Sequence, residues 1–306
     1  VPDVATLRDS LAARPGTPVH LHVTDPLLDA TPEGAAAVVE ALAVDRPVAL
    51  TLHDVPQPAE GADRCRQRTL AYQRMAAAAG LIVVSSEHER RLCEDADIVV
   101  DAVIPLPVPA LPGPAAPGPA RAHSAAAGRH TDERSVGVFG FLHPGKAVDV
   151  VAAAVAELAA AGDDRVTLQL LGEPAEGHRD YVDTALATVR DARGSAEVTG
   201  RVDDDELVHV LGRVTVPVAL FRNVSASGSL NTWAAAGRRP LTNTSGYTRE
   251  MSARHPGSLL LSDGTDLAAD LRRLLDDPTP THREPPPPGL DALGRRYRQA
   301  WDRWLG

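Results

Sequence analysis

Short, nearly continuous apolar runs alternate along the chain with longer segments whose apolar positions recur every three to four residues. The first pattern is that of strands buried on both faces, the second that of amphipathic helices. In the first third, the runs at 19–23, 48–52 and 81–84 predict strands, with short extended pieces at 98–100 and 103–105. Between them 33–42, 62–79 and 86–94 predict helices. Thr31 and Pro32 suit the N-cap and first turn of the first helix, and Gly80 the C-cap of the second. A stretch rich in proline, alanine and glycine, 105–134, then breaks the pattern and reads as a partly disordered linker. Alternation resumes with strands at 136–139, 166–171, 196–199, 216–221, 240–242 and 258–261. The helices expected there cover 147–161, 179–190, 204–211, 229–236 and 267–275. After a second proline-rich stretch, 278–288, comes an amphipathic helix over 290–305. Leu293, Tyr297, Trp301 and Trp304 are expected on one face of it, docked back onto the first half. Regular strand–helix alternation predicts an α/β chain with parallel sheets, in two halves.

Composition refines this picture. The 306 residues are 43% hydrophobic but only 3% aromatic, so the cores must be built from small aliphatic side chains. A formal net charge of −10 argues against a nucleic-acid partner, because such binding rests on neutralising phosphates. No apolar run approaches the roughly 18 residues of a membrane span, and no signal-peptide pattern opens the sequence. With Cys65 and Cys93 read as free thiols, a cytoplasmic location is expected. Of 31 basic residues only Lys146 is a lysine. Either it has escaped a general drift to arginine, or its position needs a compact ammonium that a planar guanidinium cannot replace.

In a parallel sheet, ligands gather at the carboxyl ends of strands, where loops meet helix N-termini. The segment GVFGFLHPGK, 137–146, runs from a strand through Gly140 and Phe141 to Lys146 at the next helix. It fits an anion site, although Ala147 stands where a phosphate-binding loop of the GxxxxGK[ST] type would place its hydroxyl. An exposed lysine at a helix start is the plain alternative. In FRNVSASGSL, 221–230, Arg222 adds a cation, and Ser225, Ser227, Gly228 and Ser229 offer hydroxyls and an approachable backbone; Ser227 could equally be a simple N-cap. His53 ends a strand and suits hydrogen bonding or acid–base work as well as a structural role. His20 and His22 share one side of a strand, as a metal pair or as two half-buried histidines.

Taken together, these segments resemble the GT-B glycosyltransferases, in particular the retaining family 4. VALTLHDVP resembles the family's strand and His beside the donor sugar, and LIVVSSEHERRL its strand, serine and acidic helix start. VGVFGFLHPGKAVDVVAAAVAEL resembles the opening of the family's C-terminal domain, whose lysine contacts the donor diphosphate. LQLLGEP, VTGRVDDDELVHVL and SGSL with AAAGRRPL follow in the family's order. The chain departs from the pattern where the family's phosphate-binding arginine becomes Phe141, and where Ser225 and Thr232–Trp233 replace its E-x7-E carboxylates. SASGSL followed by GYTREM resembles a sub-branch with a later Tyr and Glu, here Tyr247 and Glu250. The family's opening strand and glycine-rich loop are not found before Val19.

The resemblance implies a GT-B fold of two Rossmann-like parallel-sheet domains with a C-terminal helix crossing back. The expected parts are an acceptor domain over 1–104, the linker 105–134, a nucleotide-sugar domain over 135–284, and a helix over 285–306 on the N-terminal domain. It also implies retaining, metal-independent transfer of a sugar from a nucleotide-diphosphate donor to a hydroxyl of a sugar, lipid-linked or small-molecule acceptor. No cofactor besides the donor is expected, and peripheral membrane contact is left open. The implied catalytic group is His53, Lys146 and Arg222. The implied donor contacts are Gly140, Phe141, Val202, Ser227, Gly228, Ser229, Leu230, Tyr247 and Glu250. Two alternatives stand beside this reading. One is a catalytically degenerate GT-B homologue acting as a binding or partner subunit, and the other a metal-dependent amidohydrolase built on His20 and His22.

Overall fold

The computed structural model describes residues 6, 10, 11, 14–112 and 134–306. The chain forms two compact units. The first comprises Val1–Leu106, Asn223–Ala226 and Asp291–Gly306; the second comprises Pro107–Arg222 and Ser227–Leu290. Most of the expected linker, 113–133, lies outside the described residues.

The first unit holds a four-stranded parallel sheet in the order β1 (Val19–Val23), β2 (Val48–Leu52), β3 (Leu81–Val84) and β4 (Ala102–Val103). Helices α1 (Pro32–Ala43), α2 (Ala62–Ala78) and α3 (Glu87–Asp95) connect the strands. Thr31 caps α1 by accepting from the Gly34 amide, with Pro32 in the first turn, and Ser86 caps α3 by accepting from Glu89. Val23, Val39, Leu50, Leu52, Tyr72 and Met75 form the centre of its core. Arg68 is buried in this unit, and its guanidinium meets Asp25 at 2.7 Å and Glu60 at 2.6 Å. It also donates to the Asp54 carbonyl at 2.7 Å, while the Tyr72 hydroxyl donates to the His53 carbonyl at 2.8 Å. The turn leaving β2 is therefore tied to α2 by both side chains.

The second unit holds a six-stranded parallel sheet. Its strands are β5 (Arg134–Phe139), β6 (Val166–Leu171), β7 (Ser195–Val198), β8 (Val216–Val218), β9 (Leu241–Asn243) and β10 (Leu260–Ser262). Their order is β10-β9-β8-β5-β6-β7, with β5 central. The helices are α4 (Val148–Ala160), α5 (Arg179–Asp191), α6 (Leu207–Arg213), α7 (Gly228–Ala235), α8 (Gly246–Arg254) and α9 (Leu267–Asp276). Its core is almost wholly Val, Leu and Ala. Strand β8 is shorter than the apolar run 216–221 predicts. Beyond it the Asn243 carboxamide takes over the ladder, accepting from the Phe221 amide and donating to the Phe221 carbonyl, both at 2.9 Å. Helix α8 carries no strong apolar period and was not expected. Its local signal is Ser245 and Thr248, which cap each other's backbone amides.

The last helix, α10 (Leu290–Leu305), packs in the first unit. Leu293, Tyr297, Ala300 and Trp304 meet Ala49, Leu81, Val83 and Ile104. The buried face thus runs through Ala300, and Trp301 turns to its edge, 42% exposed, where its indole N–H donates to His20 Nδ1 at 2.8 Å. Gly80 does not act as the left-handed C-cap of α2, which ends at Ala78 with Ala79 in an extended conformation. It is instead a close-approach glycine, since a Cβ there would stand 2.4 Å from Trp304 Nε1. Gly80→Ala is expected to cost about 1–3 kcal/mol by overpacking. The cost should shrink in the Trp304→Ala background, as measured by a double-mutant cycle in urea.

Candidate functional site

Strand β5 delivers the chain to Gly140, which adopts φ +107° and donates its amide to the Leu171 carbonyl at 3.0 Å. Gly172, at the end of β6, passes so close that a Cβ on it would overlap the Gly140 carbonyl oxygen at 2.2 Å. The two strand ends can meet this closely only because both residues lack a side chain. The chain then turns through Pro144–Lys146, with His143 capping that turn by accepting from the Gly145 amide. Ala147, in the left-handed region at φ 47°, redirects it into α4.

This path folds Lys146 back over the end of β5. Its ammonium donates to the Phe139 carbonyl at 3.2 Å and to Ser229 Oγ at 3.1 Å, and lies 5.6 Å from the centre of the Phe221 ring. Burial lowers its pKa to about 8. Among the described residues no carboxylate comes within ion-pair distance. An ammonium has three N–H groups and two are used, so one donor and a full, poorly solvated charge remain.

Arg222 does not share this availability. It donates to the Pro144 carbonyl at 2.8 Å and meets Asp149 at 2.6 Å, while its own amide donates to the Gly145 carbonyl at 2.9 Å. The carboxylate of Asp149, held below its usual pKa with Tyr181 and Arg222 as partners, neutralises it. Arg222 thus braces the turn that presents Lys146, and Asp149 is a partner that sequence reading missed.

Helix α7 begins on the same side. Ser227 caps it by accepting from the Leu230 amide, and its hydroxyl bonds Ser229 Oγ at 3.0 Å, extending the Lys146–Ser229 chain. The buried Tyr247 hydroxyl accepts from the Ser227 amide at 3.1 Å. Gly228 is exposed, whereas the Leu230 side chain is fully buried and offers no surface to a ligand. Glu250 pairs with Arg254 one turn along α8. Phe141 is 64% exposed and apolar. Val202 is half-buried just beyond Gly200, in the loop leaving β7. The second unit therefore gathers Gly140, Lys146, Ser227, Ser229 and Tyr247 into one connected group, with Arg222 behind it.

His53 belongs to the first unit. There His20, His22 and His53 form a stacked row with ring centres 5.3 Å apart at each step. His22 Nδ1 and His53 Nε2 share a hydrogen bond at 3.0 Å. The Trp301 N–H is a pure donor, so His20 Nδ1 accepts and its Nε2–H points to Thr51 Oγ1 at 2.8 Å; Thr51 in turn meets the Tyr297 hydroxyl at 3.1 Å. Burial, followed by mutual repulsion, lowers the pKa of His20 and of His53 to about 4. His20 has both ring nitrogens committed, and among the described residues no group of three or more His, Cys, Asp or Glu is placed to hold a metal ion. Among the described residues the amidohydrolase alternative has no ligand set. Ser225, at the position of a family carboxylate, donates its hydroxyl to the buried Glu89 at 2.8 Å.

Two outcomes follow from these charges. Lys146 binds its proton more weakly folded (about 8) than unfolded (about 10.4), so the buried ammonium costs stability fully below pH 8. Lys146→Met should therefore raise the melting temperature at pH 7, and its advantage should close between about pH 8 and pH 10. His20 behaves in the opposite pH range. The unfolded imidazole takes up a proton near 6.5, whereas the folded ring resists until about 4. Stability should fall as pH drops through that window, and His20→Gln should flatten the loss in melting curves read by circular dichroism.

No family model matches the chain, and no curated protein matches its sequence. Solved structures do. HepE from Anabaena in complex with UDP-glucose superposes with a TM-score of 0.67 at 16% identity, covering 91% of this chain and 73% of that one. Sucrose-phosphate synthase from Thermosynechococcus elongatus gives 0.69 at 15% identity, covering 98% and 72%. A UDP-forming α,α-trehalose-phosphate synthase from Burkholderia vietnamiensis gives 0.58 at 15% identity, covering 89% and 68%. These are GT-B glycosyltransferases, and the likeness at this identity is one of fold. The two parallel-sheet α/β halves and the returning C-terminal helix are those of the GT-B fold.

Proposed function

We propose that the chain transfers a sugar from a nucleotide-diphosphate donor to an acceptor hydroxyl, with retention and without a metal ion. The observation that carries this reading is the Lys146 ammonium, buried at the end of β5 with an unused N–H and no carboxylate. Such a group is stabilised by an incoming anion, and it does most for a reaction that releases one. As the glycosidic bond to the diphosphate breaks, charge grows on the departing phosphate oxygen, and Lys146 meets it. The first amides of α7 at Gly228 and Ser229, which helix geometry leaves without intrahelical acceptors, face the same anion. The loop at Val202 takes the base. In the first unit His22 shares a hydrogen bond with His53, the residue that the resemblance sets beside the donor sugar. Arg222 acts through the 144–146 turn rather than on the diphosphate.

A second reading, a GT-B homologue that binds the donor without transferring it, is favoured by one observation. At the positions of the family's paired carboxylates, Ser225 is engaged by Glu89 and Trp233 is fully buried. Turnover of a panel of sugar nucleotides separates the two readings. UDP, GDP, dTDP or ADP at 100 times its dissociation constant should stabilise the protein by about 2.7 kcal/mol. Lys146→Ala should weaken that binding by about 1.5–3 kcal/mol in calorimetry. Lys146→Arg should not restore it, because a planar guanidinium cannot reproduce the compact ammonium that the Phe139 carbonyl and Ser229 hydroxyl hold. Undiminished binding in Lys146→Ala would remove the assignment.

A further inference from the structure

We propose that His143 is a second donor to the bound diphosphate, giving its Nε2–H to a phosphate oxygen beside Lys146. The inference rests on the Lys146 reading above and adds a residue to it. The Gly145 amide donates to His143 Nδ1 at 3.2 Å. A ring nitrogen that accepts carries no proton, so in the neutral ring the proton is on Nε2. Burial and, secondarily, the charges of Lys146 and His178 hold the imidazole below its usual pKa, which keeps it neutral. Among the described residues nothing accepts from Nε2. The ring is fixed in place, for a Cβ on Gly145 would stand 2.7 Å from its Cε1 and 2.9 Å from its Nδ1. His143 opens the same short turn that ends in Lys146, and the nearby Phe141 has no polar group to compete.

The chemistry favours a neutral donor here. Lys146 already binds its proton only to about pH 8. A second fixed cation beside it would drive that value lower and neutralise the ammonium that the diphosphate needs. A neutral N–H adds a directed hydrogen bond to the anion without that penalty. This is a role for which histidine, with one nitrogen spent on the backbone, is suited.

Two substitutions separate the halves of the ring. In His143→Asn the carboxamide oxygen can still accept from Gly145, but nothing reaches the Nε2 position. In His143→Gln the carboxamide reaches outward and can donate, at the expense of the cap. Titration calorimetry with UDP, GDP, dTDP, ADP and inorganic pyrophosphate, and with uridine as a control lacking phosphate, is run on wild type, both variants, His143→Ala and Lys146→Met. His143→Asn should lose roughly 10- to 100-fold in affinity for the diphosphate that wild type binds, with uridine binding and melting temperature unchanged. His143→Gln should keep most of the affinity. Wild-type affinity in His143→Asn, together with loss in Lys146→Met, overturns the role of His143 and leaves the Lys146 reading standing. No binding by wild type, or none lost in Lys146→Met, overturns both. If His143→Asn melts below wild type, His143→Gln decides instead: retained affinity supports the donor, and a loss equal to that of His143→Ala overturns it.

Discussion

Keeping an ammonium away from water without giving it a carboxylate is costly, and much of the second unit around β5 is arranged to make it possible. The Phe139 carbonyl and the Ser229 hydroxyl replace two waters, and the face of Phe221 replaces some of the remaining dielectric. Glycine at 140 leaves room for the side chain to fold back. Glycine at 172 lets β6 end against the same point. The turn that brings Lys146 in is held by Arg222, and Asp149 then cancels the charge of Arg222 so that the two cations do not compete. The site is thus a single under-compensated charge inside a shell of compensated ones.

The first unit solves the same electrostatic problem in the opposite way. Arg68 is buried still more completely, but it meets Asp25, Glu60 and the Asp54 carbonyl at 2.6–2.7 Å, and its donors are spent. Such a network fixes geometry and leaves nothing over for a ligand. What it fixes is the exit from β2, where Tyr72 holds the His53 carbonyl. Arg238 in the second unit is a third case. Lacking any carboxylate, it spends its donors on the carbonyls of Leu211, Gly212, Thr215 and Thr281, closing the end of α6. Among these three buried cations, Lys146 alone keeps an unused N–H.

Much of this architecture was legible in the residues. Strands β2, β3 and β6 fall where their apolar runs predict, because strands buried on both faces write themselves as nearly continuous apolar runs, and the edge strand β1 also falls in place although His20 and His22 interrupt it. Lys146 was conspicuous as the single lysine among 31 basic residues. What escaped depended on partners far away in sequence. Asp149 is an ordinary acidic residue in a helix start until Arg222, 73 positions on, reaches it. Gly80 looks like any helix-ending glycine, and its true constraint is an indole from α10. Trp301 was expected on the buried face because it stands four residues after Tyr297 and three before Trp304. Ala300 takes that place in the cluster with Ala49, Leu81, Val83 and Ile104, and the indole N–H finds His20 instead. Local patterns report which face is apolar, and only the packed neighbour decides which residue on that face must be small.

The histidines illustrate why residue type alone could not assign roles. HxH on a strand suggests metal, yet protonation logic in the folded row leads elsewhere. The Trp301 N–H forces His20 to carry its proton on Nε2, and that N–H donates to Thr51. His20 is left with no lone pair to give a cation. His22 and His53 face each other through one shared proton, so they behave as a pair in which either ring can be donor. A pair of this kind is a poor ligand set and a good hydrogen-bonding edge, since it can offer either an N–H or a lone pair without changing charge. A hydroxyl-rich ligand makes that demand, because each of its hydroxyls is both donor and acceptor. The chain thus separates two arrangements that its sequence only juxtaposes: an under-compensated cation in one unit, and neutral, reversible hydrogen bonding between stacked imidazoles in the other.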